Sequence, residues 1–304
     1  MLSTLGALIP TFGLVITGFI LKKTNFPGNQ FWPYVDKLTY YVLLPALLIV
    51  KLAVADLEGN FLISMMVCLL GATSIVAAFL LIIRFILPVS IPAFTSIFQG
   101  SFRPNTYIGL GVSSALYGEM GLALAAVAMG ILTPYVNLLS VGVMSYFLAS
   151  SPSEQLKKIG IQIIKNPLII ACTLGLGWNA LNIPFPFLLE EWLTVLSRAA
   201  LPMGLLSVGA ALSLQSISGQ PLSIILSSSL KLLALPFLVI LIGNGWAVDP
   251  SVLQICVIFT AIPCSVSSYI LATQLGGDDA LMAGIITIQT LLAILSMPFI
   301  LSFL

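Results

Sequence analysis

FTSIFQGSFRPNTYIGLGVSSALYG, residues 94–118, is the stretch whose reading decides the fold. It is apolar enough to cross a membrane as a helix, yet Arg103, Pro104, Asn105, Gly109 and Gly111 fall within a dozen residues of one another. Proline removes a backbone donor and clashes with the preceding turn, and glycine holds a helix weakly. In hydrocarbon, freed backbone groups are tolerated only where protein or a water-filled cavity satisfies them. A second stretch, FTAIPCSVSSYILATQLGG at residues 259–277, has the same character, with Pro263 ahead of Cys264, Ser265, Ser267 and Ser268.

The two stretches stand in register with a repeat of the whole chain. Pro10, Pro27 and Pro45 are answered 157 residues later by Pro167, Pro184 and Pro202. Pro92 and Pro250 lie 158 apart, and Pro104 and Pro263 lie 159 apart, as do Gly118 and Gly277. Two copies of a unit of about 155 residues are expected, and in a membrane protein that organisation points to transport.

Hydrophobic residues make up 59% of the 304 and charged residues only 7%, against roughly 25% charged in a soluble domain. An all-α polytopic membrane protein is therefore expected. The net charge of +1, with scattered basic residues, leaves no patch for nucleic acid. Cys68, Cys172, Cys256 and Cys264 are far apart within apolar runs and read as buried free thiols. Histidine is absent, which removes the commonest proton shuttle and metal ligand.

At about 20 apolar residues per crossing, ten spans are expected, near 3–21, 37–55, 61–87, 94–116, 121–149, 161–181, 190–213, 222–243, 251–274 and 280–303. TNFPGNQFWP, SSPSEQLKK, NIPFPF, QSISGQP and QLGGDD carry loop chemistry between them. Lys22 and Lys23 follow the first apolar run instead of preceding it, so that run reads as a span and not as a cleaved signal. Lys22, Lys23, Lys37, Arg84, Lys157, Lys158 and Lys165 then share one side. The other side has Lys51 with Asp56, Glu58, Glu119, Glu190, Glu191 and Asp249. The positive-inside rule places both termini outside the cytoplasm of a cell membrane. Five spans per copy is an odd number, so the second copy enters inverted. The expected division is 1–150 and 161–304, joined by a cytosolic linker at 151–160.

If both interrupted helices unwind, they can cross at mid-membrane and present half-helix N-termini to an anion. Asn105 would donate its amide, Thr106 and the serines 265, 267 and 268 their hydroxyls, and Arg103 formal charge. Kinked packing helices whose hydroxyls bond back to their own backbones are the bland alternative. It weakens when two such helices occupy matching repeat positions.

FRPNTYIGLG (102–111), YGEMGLALAA (117–126) and TPYVNLLSV (133–141) resemble the fourth and fifth helices of the auxin efflux carrier family. AIPCSVSSYILATQLGGDDALMAG (261–284) and QTLLAILSMPF (289–299) resemble its last two. The resemblance covers essentially the whole chain. It implies a carrier of small organic anions such as auxin or dicarboxylates, with a fold like the bile acid:sodium symporters and sodium/proton antiporters. It also implies a scaffold of helices 1, 2, 6 and 7, a moving core of helices 3–5 and 8–10, and substrate at the crossover of helices 4 and 9. Arg103, Asn105, Thr106, Gly109, Gly111, Pro263, Cys264, Ser265, Ser267 and Ser268 form the expected site. The positions nearest the family's crossover prolines are Gly111 and Ser268. The long cytosolic loop of the plant carriers is absent.

Asn137 and Gln289, neutral amides at membrane depth, join the expected site beside the alternative of gluing helices together. Arg198 is open between packing and lining the path, Lys51 and Asp56 read as a solvated rim, and Lys231 has no acid in its own helix. No Asp or Glu falls deep within any span so drawn, which favours uniport or coupling through neutral oxygens. Sodium or proton coupling stays open, as does a homodimer through the scaffold helices. No cofactor or metal is expected. The alternatives are a sodium-coupled symporter of larger amphipathic anions, a receptor that moves nothing, and an intramembrane enzyme. The last is disfavoured, with no histidine and no paired aspartates at depth.

Overall fold

The computed structural model describes residues 2–55, 61–148, 165–181 and 183–304. Among these the chain is helical throughout, with no strand and one isolated bridge. Asp56, Glu58 and the SSPSEQLKK linker with Lys157 and Lys158 lie outside the described residues.

Six described helices are long and apolar enough to cross a membrane unaided: Gly6–Lys23, Phe61–Ile83, Thr106–Leu148, Phe187–Ala210, Pro221–Gly245 and Asp279–Leu301. The remaining apolar stretches form shorter helices. Phe31–Leu38 continues through a π turn, Thr39–Leu43, into Leu44–Ala53 with helical backbone at both joints. Pro45 follows this turn, and Pro236 follows a second π turn at Leu230–Ala234. A proline ring and its missing N–H displace the ordinary ladder, so a locally widened turn is the expected adjustment. Thr106–Leu148 is two helices end to end, separated at Gly118 (φ 59, ψ −142). The left-handed φ there suits a residue without Cβ. Ile91–Gly100 and Pro250–Ala261 each stop short, and the chain resumes as helix only at Thr106 and Ser267.

The helices pack as two groups. In one, Leu2–Lys23 lies against Phe187–Ala210, and Leu44–Ala53 lies against both Pro167–Ala180 and Phe187–Ala210. A Cβ on Gly18 would meet the Leu206 carbonyl, and one on Gly209 the Val15 carbonyl, so the first pair packs backbone to backbone. Such contact is how helices associate where lipid removes the hydrophobic drive. Asn179 ties this group's far end by donating to the Ala53 and Ala55 carbonyls at 3.2 and 2.7 Å. In the other group Pro250–Ala261 sits centrally, against Phe61–Ile83, Thr106–Leu148, Leu235–Gly245 and Asp279–Leu301. Ile255, Val257, Ile258 and Phe259 are almost wholly buried there. Thr106–Leu148 makes most of the contact between the groups.

Candidate functional site

The two interruptions meet. Pro104 and Cys264 form an antiparallel bridge, in which the Asn105 N–H donates to the Pro263 carbonyl at 2.9 Å. The helices open at residues 101–105 and 262–266. They do not open at Gly111 and Ser268, which are helical. The reason is local chemistry. Pro104 has no N–H for the Gly100 carbonyl, and Pro263 has none for the Phe259 carbonyl, so each ladder must stop four residues before its proline.

Gln289 repairs part of this damage. Its Nε2 donates to the orphaned Gly100 carbonyl at 3.0 Å, and its Oε1 accepts from the Cys264 N–H at 2.8 Å. One fully buried amide thus joins both breaks. The sequence reading left Gln289 open between binding ligand and gluing helices together; its amide bonds the backbone of both breaks and, at 3.4 Å, the Ser227 hydroxyl.

Below the bridge lies a cavity of about 590 Å³. The N-terminal ends of Thr106–Leu148 and Ser267–Leu275 both reach it, through Thr106, Ser265 and Ser267. Arg103, only 6% exposed, lines it and donates from Nη2 to Ser267 Oγ at 3.1 Å; its Nε and Nη1 have no partner. Asn105, 2% exposed, accepts weakly from the Ile108 N–H at 3.4 Å, and its Nδ2 has no partner. Buried donors left without acceptors are costly. Here they belong to two neighbouring side chains on one cavity, between two helix N-termini that favour negative charge.

Six of the expected site residues line this cavity: Arg103, Asn105, Thr106, Asn137, Ser265 and Ser267. The others do not. Pro263 and Cys264 form the bridge behind it, Cys264 Sγ lies 3.2 Å from Ser268 Oγ, and both of those side chains are buried. Gly109 faces Phe259 and Ile262, where a Cβ would come within 3.0 Å, so it serves close packing. Gly111 turns toward Thr11 and Leu205 and lines a second cavity of about 490 Å³.

The second cavity also takes in Lys51, Ser114, Glu119 and Arg198. On the helix that begins at Thr106, one cavity touches the first turn and the other touches Gly111, Ser114 and Ala115. The buried Ile108 and Leu110 lie between. Lys51 Nζ is 2.5 Å from Oε2 of Glu119, whose side chain is 78% exposed, the one ion pair among the described residues.

Sequence reasoning missed the cavity's other wall. Asp36, Lys37, Tyr40, Tyr41 and Asn166 all line it. Asp36 accepts from the Ser207 hydroxyl, so a carboxylate does reach the cavity. The expected span began at 37, whereas the helix begins at Phe31, and that shift hid Asp36. Asn166 was legible as an N-cap before Pro167, and its Oδ1 does accept from the Leu168 N–H at 2.9 Å. Its place on the cavity was not.

The chain matches the family model described as "Membrane transport protein" over residues 3–301. It is 24% identical over 299 residues to the "Putative malonate transporter" of Rhizobium meliloti (strain 1021), covering 95% of this chain and 92% of that protein. An "Uncharacterized transporter" of Methanothermobacter thermautotrophicus is 23% identical over 288 residues, 94% and 93% of the two chains. "Auxin efflux carrier component 5" of Arabidopsis thaliana is 25% identical over 130 residues, 40% of this chain and 37% of that one. With apolar helices and a family match from end to end, the chain belongs to the membrane transport protein family that includes the auxin efflux carriers, and it is a multi-pass membrane transporter and not an enzyme.

Proposed function

We propose that the protein is a secondary carrier of small organic anions that works by alternating access, with the substrate carboxylate held at the crossover. The observation that carries this reading is the convergence of Arg103 and Asn105, each with unpartnered N–H groups, and two half-helix N-termini on one cavity. Hydrophobic walls from Leu44, Val136, Val208 and Ile270 surround that polar floor, which suits a carboxylate attached to a short organic body.

On this reading the chain crosses the membrane ten times as two inverted five-span repeats. The group built on helices 1, 2, 6 and 7 is the scaffold, and the group around Pro250–Ala261 is the moving core. Lys37 and Asn166 line the mouth of the larger cavity, on the side that carries most of the Lys and Arg residues. The positive-inside rule makes that side cytoplasmic, so the protein stands open to the cytoplasm with its termini outside. The Lys51–Glu119 pair closes the opposite face by joining the scaffold to the core.

A thermal-shift panel of mono- and dicarboxylates tests the assignment, with malonate the first compound because a relative bears that name. Asn105→Ala is expected to lower affinity about tenfold, since it removes one hydrogen bond to a charged acceptor, and to leave folding intact. Equal affinity in wild type and variant would remove Asn105 from the site.

Opening the far side gives a separate result. Glu119→Gln should raise maleimide labelling of Ser114→Cys in the second cavity by about threefold, the worth of an ion pair whose carboxylate is largely exposed. Labelling of Gln274→Cys in the larger cavity should fall in parallel. No change at either position would mean that the pair does not hold the far side shut.

A further inference from the structure

Lys231 is the most anomalous charge in the molecule. It is fully buried, and among the described residues no carboxylate pairs with it. A buried ammonium without a counter-ion is among the costliest groups a membrane protein can keep, so it calls for a physical reason.

The reason lies at the second break. Lys231 Nζ is 2.8 Å from the Thr260 carbonyl and 3.5 Å from that of Phe259. These are two of the carbonyls the break orphans: Pro263 offers no N–H to Phe259, and the Cys264 N–H that would have bonded Thr260 goes to Gln289 instead. They also form the negative end of the Pro250–Ala261 half-helix. The matching carbonyl of the first break, Gly100, receives only the neutral Gln289 amide. The carbonyl ends of the two half-helices thus differ by one positive charge. Lys231 lies in the π turn Leu230–Ala234, the kind of local widening that marks functional positions in helices.

Unwound carbonyls and half-helix C-terminal ends are where carriers with broken helices hold a sodium ion. We propose that the Lys231 ammonium is a tethered cation occupying such a carbonyl site, so that this carrier binds its anion without sodium. The inference rests on the crossover being the anion site. It makes Lys231 a positioning residue: its charge holds residues 259–260 and, through the chain that follows, Ser265 and Ser267 on the cavity. It also decides between the sodium-free carrier and the sodium-coupled alternative.

The test is sodium-dependent stability of the purified full chain, with N-methyl-D-glucamine as the inert cation. Lys231→Ala vacates the carbonyl site. Sodium or methylammonium should then raise its melting temperature by about 2 °C at ten times the dissociation constant. Wild type and Lys231→Met, whose apolar chain fills the space, should show no such shift. Lys231→Ser serves as the second small variant should alanine not fold. Specific stabilisation of wild type by sodium would overturn the proposal whatever the variants do, and so would folded Ala or Ser variants indifferent to both cations. Malonate affinity separates this from the site assignment. If Asn105→Ala binds as wild type does, the crossover reading fails. If Asn105→Ala is weakened while Lys231→Ala binds normally in sodium-free buffer, only the tethered-cation inference falls.

Discussion

Gln289→Leu is expected to be the most damaging single substitution in the crossover, lowering stability by about 4 kcal/mol. Leucine nearly matches the volume but offers neither donor nor acceptor. The Cys264 N–H and the Gly100 carbonyl would both remain buried without a partner, and each such group costs about 1–3 kcal/mol. The Ser227 hydroxyl, 3.4 Å from Gln289 Nε2, cannot stand in for both. Thermal unfolding in detergent, compared with the conservative Ile286→Val, would measure the difference. A loss no larger than that of the methyl deletion would show that the two breaks hold without the amide. Asn105→Ala should be far milder in the same assay, because the Asn105 Nδ2 bonds no protein group.

Arg103→Gln carries the largest expected effect on substrate. Arg103 supplies the formal charge on the cavity floor, and its Nε and Nη1 are free to receive a carboxylate. Charge-assisted bonds are roughly twice as strong as neutral ones, and removing one partner of a buried, hydrogen-bonded charge pair costs about 2–5 kcal/mol. Affinity should therefore fall about a hundredfold or more. Arg103→Lys should recover only part of it, because an ammonium cannot present a planar fork while also reaching Ser267. Isothermal titration with malonate distinguishes the outcomes. Unchanged binding in Arg103→Gln would mean that the arginine serves only to fasten Ser267.

Half of the crossover could be read from the chain in advance and half could not, for a consistent reason. Pro104 and Pro263 announce their breaks because a missing N–H is a property of the residue alone. Arg103, Asn105, Ser265 and Ser267 follow, since polar groups beside a break in an apolar run have few other uses. Gln289 and Asn137 looked alike, two amides at similar depth. Only the fold shows one spent on backbone and the other on the cavity. Lys231 and Asp36 were hidden further, because what each does depends on helices distant in sequence: Pro250–Ala261 for the first and Phe187–Ala210 for the second.

By itself the sequence determined that this chain dissolves in lipid and where two of its apolar runs must break. Those properties follow from composition and from the covalent structure of proline. Tertiary structure alone decided which polar groups face the void and which are consumed in holding the breaks together. A side chain's spare hydrogen-bonding capacity is what remains after its neighbours are served, and those neighbours are brought to it by folding.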